Sequence, residues 1–299
     1  MKTIIPEGSG FCPGVVSAEK RLLELRKNFN GKIYISGMFI HNKEYEKYLK
    51  SLDIVTFEDY DNIINKNIAN KNNNTTDDSI FVISTHGIDK NIEEKLNERF
   101  KVFDLTCPKV KNVQKIIESN QDYFAVITGK EDHPETIGLK SYSLNNIVVS
   151  DIKILNEKKF NDSIANKKVL LISQTTAEEY LYINTFNYLE NLLNKNIIKE
   201  LKNFNTICPS IINRENNAID LLQKLNIKAI VIGDRLSSNS QRLFNKLKKI
   251  NNDVFFIEKK SDLENILNNI KNDKDIIVVS SSSTPSFIEK EIIDFLAKI

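Results

Sequence analysis

Cysteine is scarce in this 299-residue chain: there are three, far apart. Three distant cysteines cannot form a disulfide framework and suit a reducing compartment, which leaves metal or redox work as their chemistry, if any. Charge of one sign is missing too. The 42 Lys and Arg against 40 Asp and Glu leave a formal charge of +2, with no basic block or stripe, and this excludes the polyanion groove that a nucleic-acid partner needs. No apolar run approaches the roughly 20 residues that span a bilayer. A strand-like KTII follows Met1 almost at once, with no signal or transit segment before it, and a cytoplasmic protein is expected. No G-x-G-x-x-G follows any strand-like run, which disfavours a nicotinamide enzyme.

What is present is ample apolar material and a regular alternation. A hydrophobic content of 40% over this length supplies cores for two or three modest domains. Runs rich in β-branched and aromatic residues recur as KIYIS, IFVIS, KVFDL, YFAVIT, KVLLIS, KAIVIG, VFFIE and IIVVSS, each followed by a helical pattern. Such alternation predicts an α/β fold with mostly parallel sheets and crossover helices. The last helix should follow Pro285 and turn Phe287, Ile288, Ile292, Phe295 and Leu296 to the core. One Asn-rich tract, NIINKNIANKNNNTTDD before Ile80, reads as a solvated loop or insertion.

The three cysteines share one local frame: FCPGV around Cys12, TCPKV around Cys107 and ICPSI around Cys208. With six prolines in the chain, about 2% per position, three independent Cys-Pro pairs would arise by chance in roughly one such chain in 10⁵. The frame therefore marks an internal repeat of three pseudo-equivalent α/β domains, 1–103, 104–205 and 206–299, each contributing one cysteine. In every frame the proline stands where a helix can begin, because the first helical amide has no intrahelical acceptor, and cysteine is left as the N-cap. Unpaired amides and the positive end of the helix dipole stabilise a thiolate there. Three such thiolates suit zinc with a histidine, or three corners of a 4Fe–4S cluster. Zinc ligands usually come in close pairs such as C-x-x-C, which do not occur, and ligands from three domains favour one cubane with an open fourth iron.

Ligands of open α/β sheets bind beyond the carboxyl ends of the strands. The remaining unusual residues stand there: His41 after KIYIS and GMFI; Thr85, His86 and Gly87 after IFVIS; His133, Pro134 and Glu135 after YFAVIT; Gln174, Thr175 and Thr176 after KVLLIS; Ser237, Ser238 and Asn239 after KAIVIG; Ser283 after IIVVSS. Singly, the hydroxyls are also good helix caps, and Glu135 fits a helix dipole. Together they make a donor-rich site suited to a diphosphate.

These residues, with GMFIHN, STHG, DLTCPKV, HPE, QTT, ICPSIINRENNA, GDRLSSNSQRL and SSSTP in that order, resemble the LytB/IspH family, the 4-hydroxy-3-methylbut-2-enyl diphosphate reductases, from the first strand to the last helix. The resemblance implies three α/β domains around a central iron–sulfur cluster. It implies conversion of an allylic hydroxymethylbutenyl diphosphate to isopentenyl and dimethylallyl diphosphates, the last step of the non-mevalonate pathway. It also implies a ferredoxin or flavodoxin system as electron donor, and a bacterial cytoplasm, or a plastid stroma for a trimmed precursor. Carried over position by position, Cys12, Cys107 and Cys208 resemble the ligands of one 4Fe–4S cluster. His41, His86, Ser237, Ser238, Asn239 and Ser283 resemble the diphosphate ligands. His133 and Thr175 resemble the residues that hold the phosphate and the substrate hydroxyl, and Glu135 the proton relay. The chain departs from the family at EGSG before Cys12, where a basic residue is usual, and at SSSS, where a Gly-rich turn is usual. Two alternatives stand beside this reading: quinolinate synthase, which should lack the HPE and SSN motifs, and a non-catalytic zinc or interaction protein using three cysteines and one histidine.

Overall fold

The computed structural model describes residues 1–57 and 79–299, and the Asn-rich tract at 62–78 lies outside them. Twelve strands occur among the described residues: β1 (Lys2–Ile4), β2 (Lys32–Ser36), β3 (Ile54–Phe57), β4 (Ser79–Ile83), β5 (Lys101–Asp104), β6 (Phe124–Thr128), β7 (Asn146–Val149), β8 (Lys168–Ser173), β9 (Glu200–Asn203), β10 (Ala229–Ile232), β11 (Val254–Ile257) and β12 (Asp275–Ser280). They pair in parallel to give three four-stranded sheets, ordered β3-β2-β4-β5, β7-β6-β8-β9 and β11-β10-β12-β1.

The three orders are one pattern. If the strands of each sheet are lettered a to d in chain order, with β1 counted as the fourth strand of the third sheet, the spatial order is b-a-c-d every time. The third sheet obtains its fourth strand from the start of the chain, because β1 pairs with β12 in the register Thr3 to Ile276. A cysteine frame follows the fourth strand of each sheet, since Cys12, Cys107 and Cys208 come after β1, β5 and β9. Between strands a and c the connections leave in opposite directions, which is the topological switch point where α/β proteins bind ligands.

Both faces of these sheets are covered, as parallel pairing requires. In the third sheet Ile230, Ile232, Ile276 and Val278 pack on one side against Ile288, Ile292 and Leu296 of the helix Ser286–Leu296. Ala229, Val231, Ile277 and Val279 pack on the other against Ala218 and Leu222 of the helix Pro209–Leu225 and Leu243 and Leu247 of the helix Ser238–Lys248. The second sheet buries Ala125, Ile127, Leu170 and Ile172 with Val113, Ile117 and Leu139, and the first buries Phe81 and Ile83 with Leu96 and Phe100. By contact density the chain divides into two compact units, one of Met1–Leu25, Met38–Ile54 and Pro209–Ile299, the other of Arg26–Gly37 and Val55–Cys208.

The expected core face of the last helix holds at Ile288, Ile292 and Leu296 but not at Phe287, which is 46% exposed. Phe287 lies one residue off the i, i+4, i+8 stripe and packs its ring on Tyr48 instead, centroids 5.9 Å apart. No helix among the described residues is long and apolar enough to cross a membrane.

Candidate active site

The three cysteine frames are built alike. Helices start at Pro13, Pro108 and Pro209, the residue after each cysteine. Cys107 is the N-cap of its helix by backbone geometry, although its thiol does not itself bond the helix amides. Its N–H donates to the Thr85 carbonyl at 3.0 Å, and the Cys208 N–H donates to the Thr175 carbonyl at 2.8 Å. Each frame is thus hooked to the residue two past the end of the neighbouring strand, β4 or β8. Three positions before each of these cysteines an Asx turn bends the chain: Asp104 Oδ1 accepts from the Thr106 N–H at 2.8 Å, and Asn205 Oδ1 from the Ile207 N–H at 3.2 Å. Burial pushes the Asp104 carboxyl up, but Lys111, whose Nζ lies 2.7 Å from Oδ2, and the Thr106 donors outweigh it and hold it below the usual carboxylate range. None of the three cysteines is in a disulfide, and all three are half-buried.

Within the larger unit, the switch point of the second sheet holds a carboxyl. His133 is the N-cap of the helix Pro134–Ser141, its Nδ1 accepting from the Glu135 N–H at 3.2 Å. An accepting Nδ1 puts the proton of the neutral ring on Nε2. Glu135 is 2% exposed and faces Thr175 beyond β8. The Thr175 N–H donates to Oε1 at 2.5 Å and its hydroxyl to Oε2 at 2.8 Å. Burial raises the carboxyl to about 7, against the opposing pull of the two Thr175 donors. Gln174 braces this turn, its Oε1 accepting from the Lys130 N–H at 3.0 Å and its Nε2 donating to Thr176 Oγ1 at 2.6 Å. The His86 ring, after β4, meets that of His133 edge to face, centroids 5.6 Å apart.

In the other unit the equivalent crevice, after β10 and β12, is rich in hydroxyls, and its buried carboxyl, Asp234 in the loop after β10, is taken up by backbone amides, accepting from the Leu236 N–H at 2.8 Å and the Lys43 N–H at 3.1 Å. Ser237 caps the helix Ser238–Lys248, accepting from the Ser240 N–H at 3.4 Å, and receives the Ser283 hydroxyl at 2.9 Å. Asn239 Nδ2 donates to Ser282 Oγ at 3.0 Å. Ser240 Oγ donates to Ser281 Oγ at 2.8 Å under this layer. Gly233 permits that approach, since a Cβ there would stand 2.3 Å from Ser240 Oγ. Asn239 Oδ1 is buried with no hydrogen-bond partner among the described residues. His41 precedes Asn42, the N-cap of the helix Lys43–Ser51, and the Lys43 N–H donates to Asp234 Oδ2 at 3.1 Å in the loop after β10.

The residues singled out from sequence therefore lie beyond the strand ends, and several are in direct contact: Glu135 with Thr175, Ser237 with Ser283, Gln174 with Thr176, and the ring of His86 with that of His133. Sequence reading missed Ser240 and Gly233, and it left open which of Ser281 to Ser283 faces the substrate. Only the cluster of serines gave them away, and it does not say which ones face outward.

Three parallel sheets of one repeated order, with a cysteine after the fourth strand of each and hydrogen-bond donors beyond the strand ends, define a three-fold repeated α/β protein. Its family follows from comparison with known proteins. The chain belongs to the LytB family, whose model, described as "LytB protein", matches residues 4–297. A 4-hydroxy-3-methylbut-2-enyl diphosphate reductase of Petrotoga mobilis is 33% identical over 303 residues, covering 100% of this chain and 98% of the relative. One from Clostridioides difficile is 31% identical, with 100% of both chains covered. A solved (E)-4-hydroxy-3-methyl-but-2-enyl diphosphate reductase, described as the terminal enzyme of the non-mevalonate pathway, superposes with a TM-score of 0.68 at 28% identity over the whole of both chains. The reductase structure from Plasmodium falciparum gives 0.80 at 24% identity, over 99% of this chain and 88% of that one, and speaks for the fold. Membership of this family sets aside the quinolinate synthase and zinc-protein alternatives.

Proposed function

We propose that this chain reduces (E)-4-hydroxy-3-methylbut-2-enyl diphosphate to isopentenyl and dimethylallyl diphosphates, as its relatives' names and its family imply. The observation that carries the mechanistic reading is Glu135, a buried carboxyl near pKa 7 touching the Thr175 hydroxyl in the crevice. The reaction takes two electrons and two protons, breaks the allylic C–O bond, forms one C–H bond and releases water. An acid that is half protonated at neutral pH can both give and regain a proton, which is the condition general acid catalysis favours. The Thr175 hydroxyl, donating to Glu135, links that acid to a hydroxyl group held beside it.

The iron–sulfur cofactor of the family fits the donor set. Three uncrosslinked, half-buried cysteines at helix starts offer thiolates and little else. Cys12, Cys107 and Cys208 would hold one 4Fe–4S cluster with a fourth iron open, and such a cluster supplies low-potential electrons and a Lewis-acidic site. A ferredoxin or flavodoxin is the electron donor in this reading, and the cytoplasm the compartment.

The diphosphate goes to hydrogen-bond donors: the imidazoles of His41, His86 and His133 and the amide and hydroxyl groups of Ser237, Ser238, Asn239 and Ser283. His133 supports this through its tautomer, which turns an Nε2–H outward from the Nδ1 that caps the helix. Asn239 supports it through its unpartnered carboxamide end, the mark of a buried polar atom that awaits a ligand. Exchanging the two ends of that amide presents an N–H to the phosphate without moving the chain.

Iron and sulfide analysis of anaerobically purified protein tests the core of the reading. About four irons per chain and a broad visible absorption are expected, and Cys12→Ser, Cys107→Ser and Cys208→Ser should each lose iron and turnover, because two thiolates hold a cubane poorly. An active, iron-replete Cys208→Ser protein would refute the three-cysteine site.

A further inference from the structure

Cys12 is held differently from its two counterparts. At the position three residues before the cysteine, where Asp104 and Asn205 make a local Asx turn, this frame has Ser9, and the backbone on either side is glycine in the left-handed region, Gly8 at φ +84° and Gly10 at φ +78°. A Gly-Ser-Gly segment has little conformational preference of its own. A single local turn starts it, the Ser9 N–H donating to the Pro6 carbonyl at 3.2 Å with Gly8 as its third residue, and the remaining bonds that fix it come from far along the chain. Arg214, 3% exposed on the helix that follows Cys208, donates from Nε to the Gly8 carbonyl at 2.5 Å and from Nη2 to the Gly10 carbonyl at 2.7 Å. Asn217, one turn along, donates to the Glu7 carbonyl at 3.1 Å. On the other side the Ser9 hydroxyl donates to Glu289 Oε1 at 2.9 Å and accepts from the Ser280 N–H at 2.8 Å, while the Gly10 N–H donates to the Ser280 carbonyl at 3.0 Å. Glycine at 10 is what lets Glu289 approach, since a Cβ there would stand 3.1 Å from Oε2.

We infer that Arg214 and Glu289 are positioning residues for Cys12, a two-sided clamp that replaces the turn the other two frames carry in their own sequence, and that Cys12 is consequently the first of the three cysteines to be released when the fold loosens. The inference uses the cluster reading for its consequence but not for its geometry. Charge-assisted bonds to backbone carbonyls are strong one by one, and here two of them from a single rigid guanidinium span both ends of the glycine turn.

Hydrogen exchange of the full-length, anaerobically purified protein, followed by peptide mass spectrometry, reads each frame separately. In the wild type, amides of residues 8–12 should exchange faster than those of 104–107 and 205–208. In Arg214→Gln the first segment should speed up by roughly tenfold or more while the other two stay within about twofold, as local opening predicts. Arg214→Lys should restore part of the protection. Should Arg214→Gln fail to fold, Glu289→Gln and Ser9→Ala take its place with the same expected selectivity, about three- to tenfold. In the cluster-loaded variants, the rate at which a chelator removes iron should rise in parallel with exchange at 8–12. Equal acceleration of all three frames, or an unchanged 8–12 segment in both Arg214→Gln and Glu289→Gln, would overturn the clamp. Absence of iron with selective exchange at 8–12 would instead count against the cluster and leave the clamp standing.

Discussion

The second and third sheets end in crevices of the same topology and opposite chemistry. Beyond β6 and β8 a single buried carboxyl, Glu135, is surrounded by donors and raised to about 7. Beyond β10 and β12 the equivalent positions hold hydroxyls bonded to hydroxyls, Ser283 to Ser237 and Ser240 to Ser281, which carry no charge and titrate nowhere near neutrality. The same b-a-c-d scaffold thus supports two tasks. One crevice presents a carboxyl that titrates near neutrality; the other presents hydroxyls, with its one carboxyl, Asp234, bonded to the backbone amides of Lys43 and Leu236.

The largest effect should come from taking the proton out of the first crevice. Glu135→Gln keeps shape and hydrogen-bonding capacity, so fold, iron content and much of the substrate affinity should persist while turnover falls by roughly 10²–10⁴. Anaerobic turnover with a strong artificial reductant, beside substrate binding followed by the cluster spectrum, separates the two quantities. A variant within about threefold of wild-type turnover would return Glu135 to a helix-start residue.

Stability should report the same proton. Since folding raises the Glu135 pKa above its ordinary value near 4.5, the folded state favours the protonated form. That contribution is fully present below about pH 4.5 and is lost as pH rises through about 7. Denaturant titrations should therefore show the wild type losing on the order of 2–3 kcal/mol more than Glu135→Gln between pH 5 and pH 8. Parallel pH dependence in the two proteins would mean that the carboxyl is ionised throughout.

Thr175→Val removes the hydroxyl that joins Glu135 to the crevice and should lower turnover about tenfold to a hundredfold, with the alkaline limb of the pH–rate profile displaced upward, because loss of a donor to the carboxylate keeps the acid protonated to higher pH. The smallest effects belong to the second crevice. Ser283→Ala and Ser237→Ala should each weaken diphosphate binding by roughly three- to tenfold and leave saturated turnover within about twofold, as loss of one neutral hydrogen bond does. If either serine variant depressed saturated turnover as far as Glu135→Gln, the division of labour between the crevices would be wrong.

Most of the fold was legible because parallel strands buried on both faces are written as unbroken apolar runs: KAIVIG and IIVVSS became β10 and β12 with every residue of Ile230–Ile232 and Ile276–Val279 buried. The strands that escaped notice, β3, β7 and β9, are outer strands of four residues with partly exposed faces, and ELKN carries no alternation to read. The cysteine frames were legible because proline after cysteine is rare and positional. The contact of Glu135 with Thr175 was not, since the two lie 40 residues apart and only the b-a-c-d strand order brings the ends of β6 and β8 side by side. The contacts of Arg214 and Glu289 were not legible either: a charged residue inside a helix looks like solvated surface until its partners are seen, here the Gly8 and Gly10 carbonyls for Arg214 and the Ser9 hydroxyl for Glu289.

The pairing of β1 with β12 also has a meaning in time. On the ribosome, Lys2–Ile4 is made about 270 residues before the strand it joins, an interval of roughly 15–55 s at 5–20 residues per second. Throughout that interval the first two sheets can close, since all their strands are local, while β1 waits for its partner. The segment leading to Cys12 therefore stays without its sheet neighbour until β12 has been made. Synthesis of β12, far downstream, sets the moment at which the Cys12 frame takes its final place.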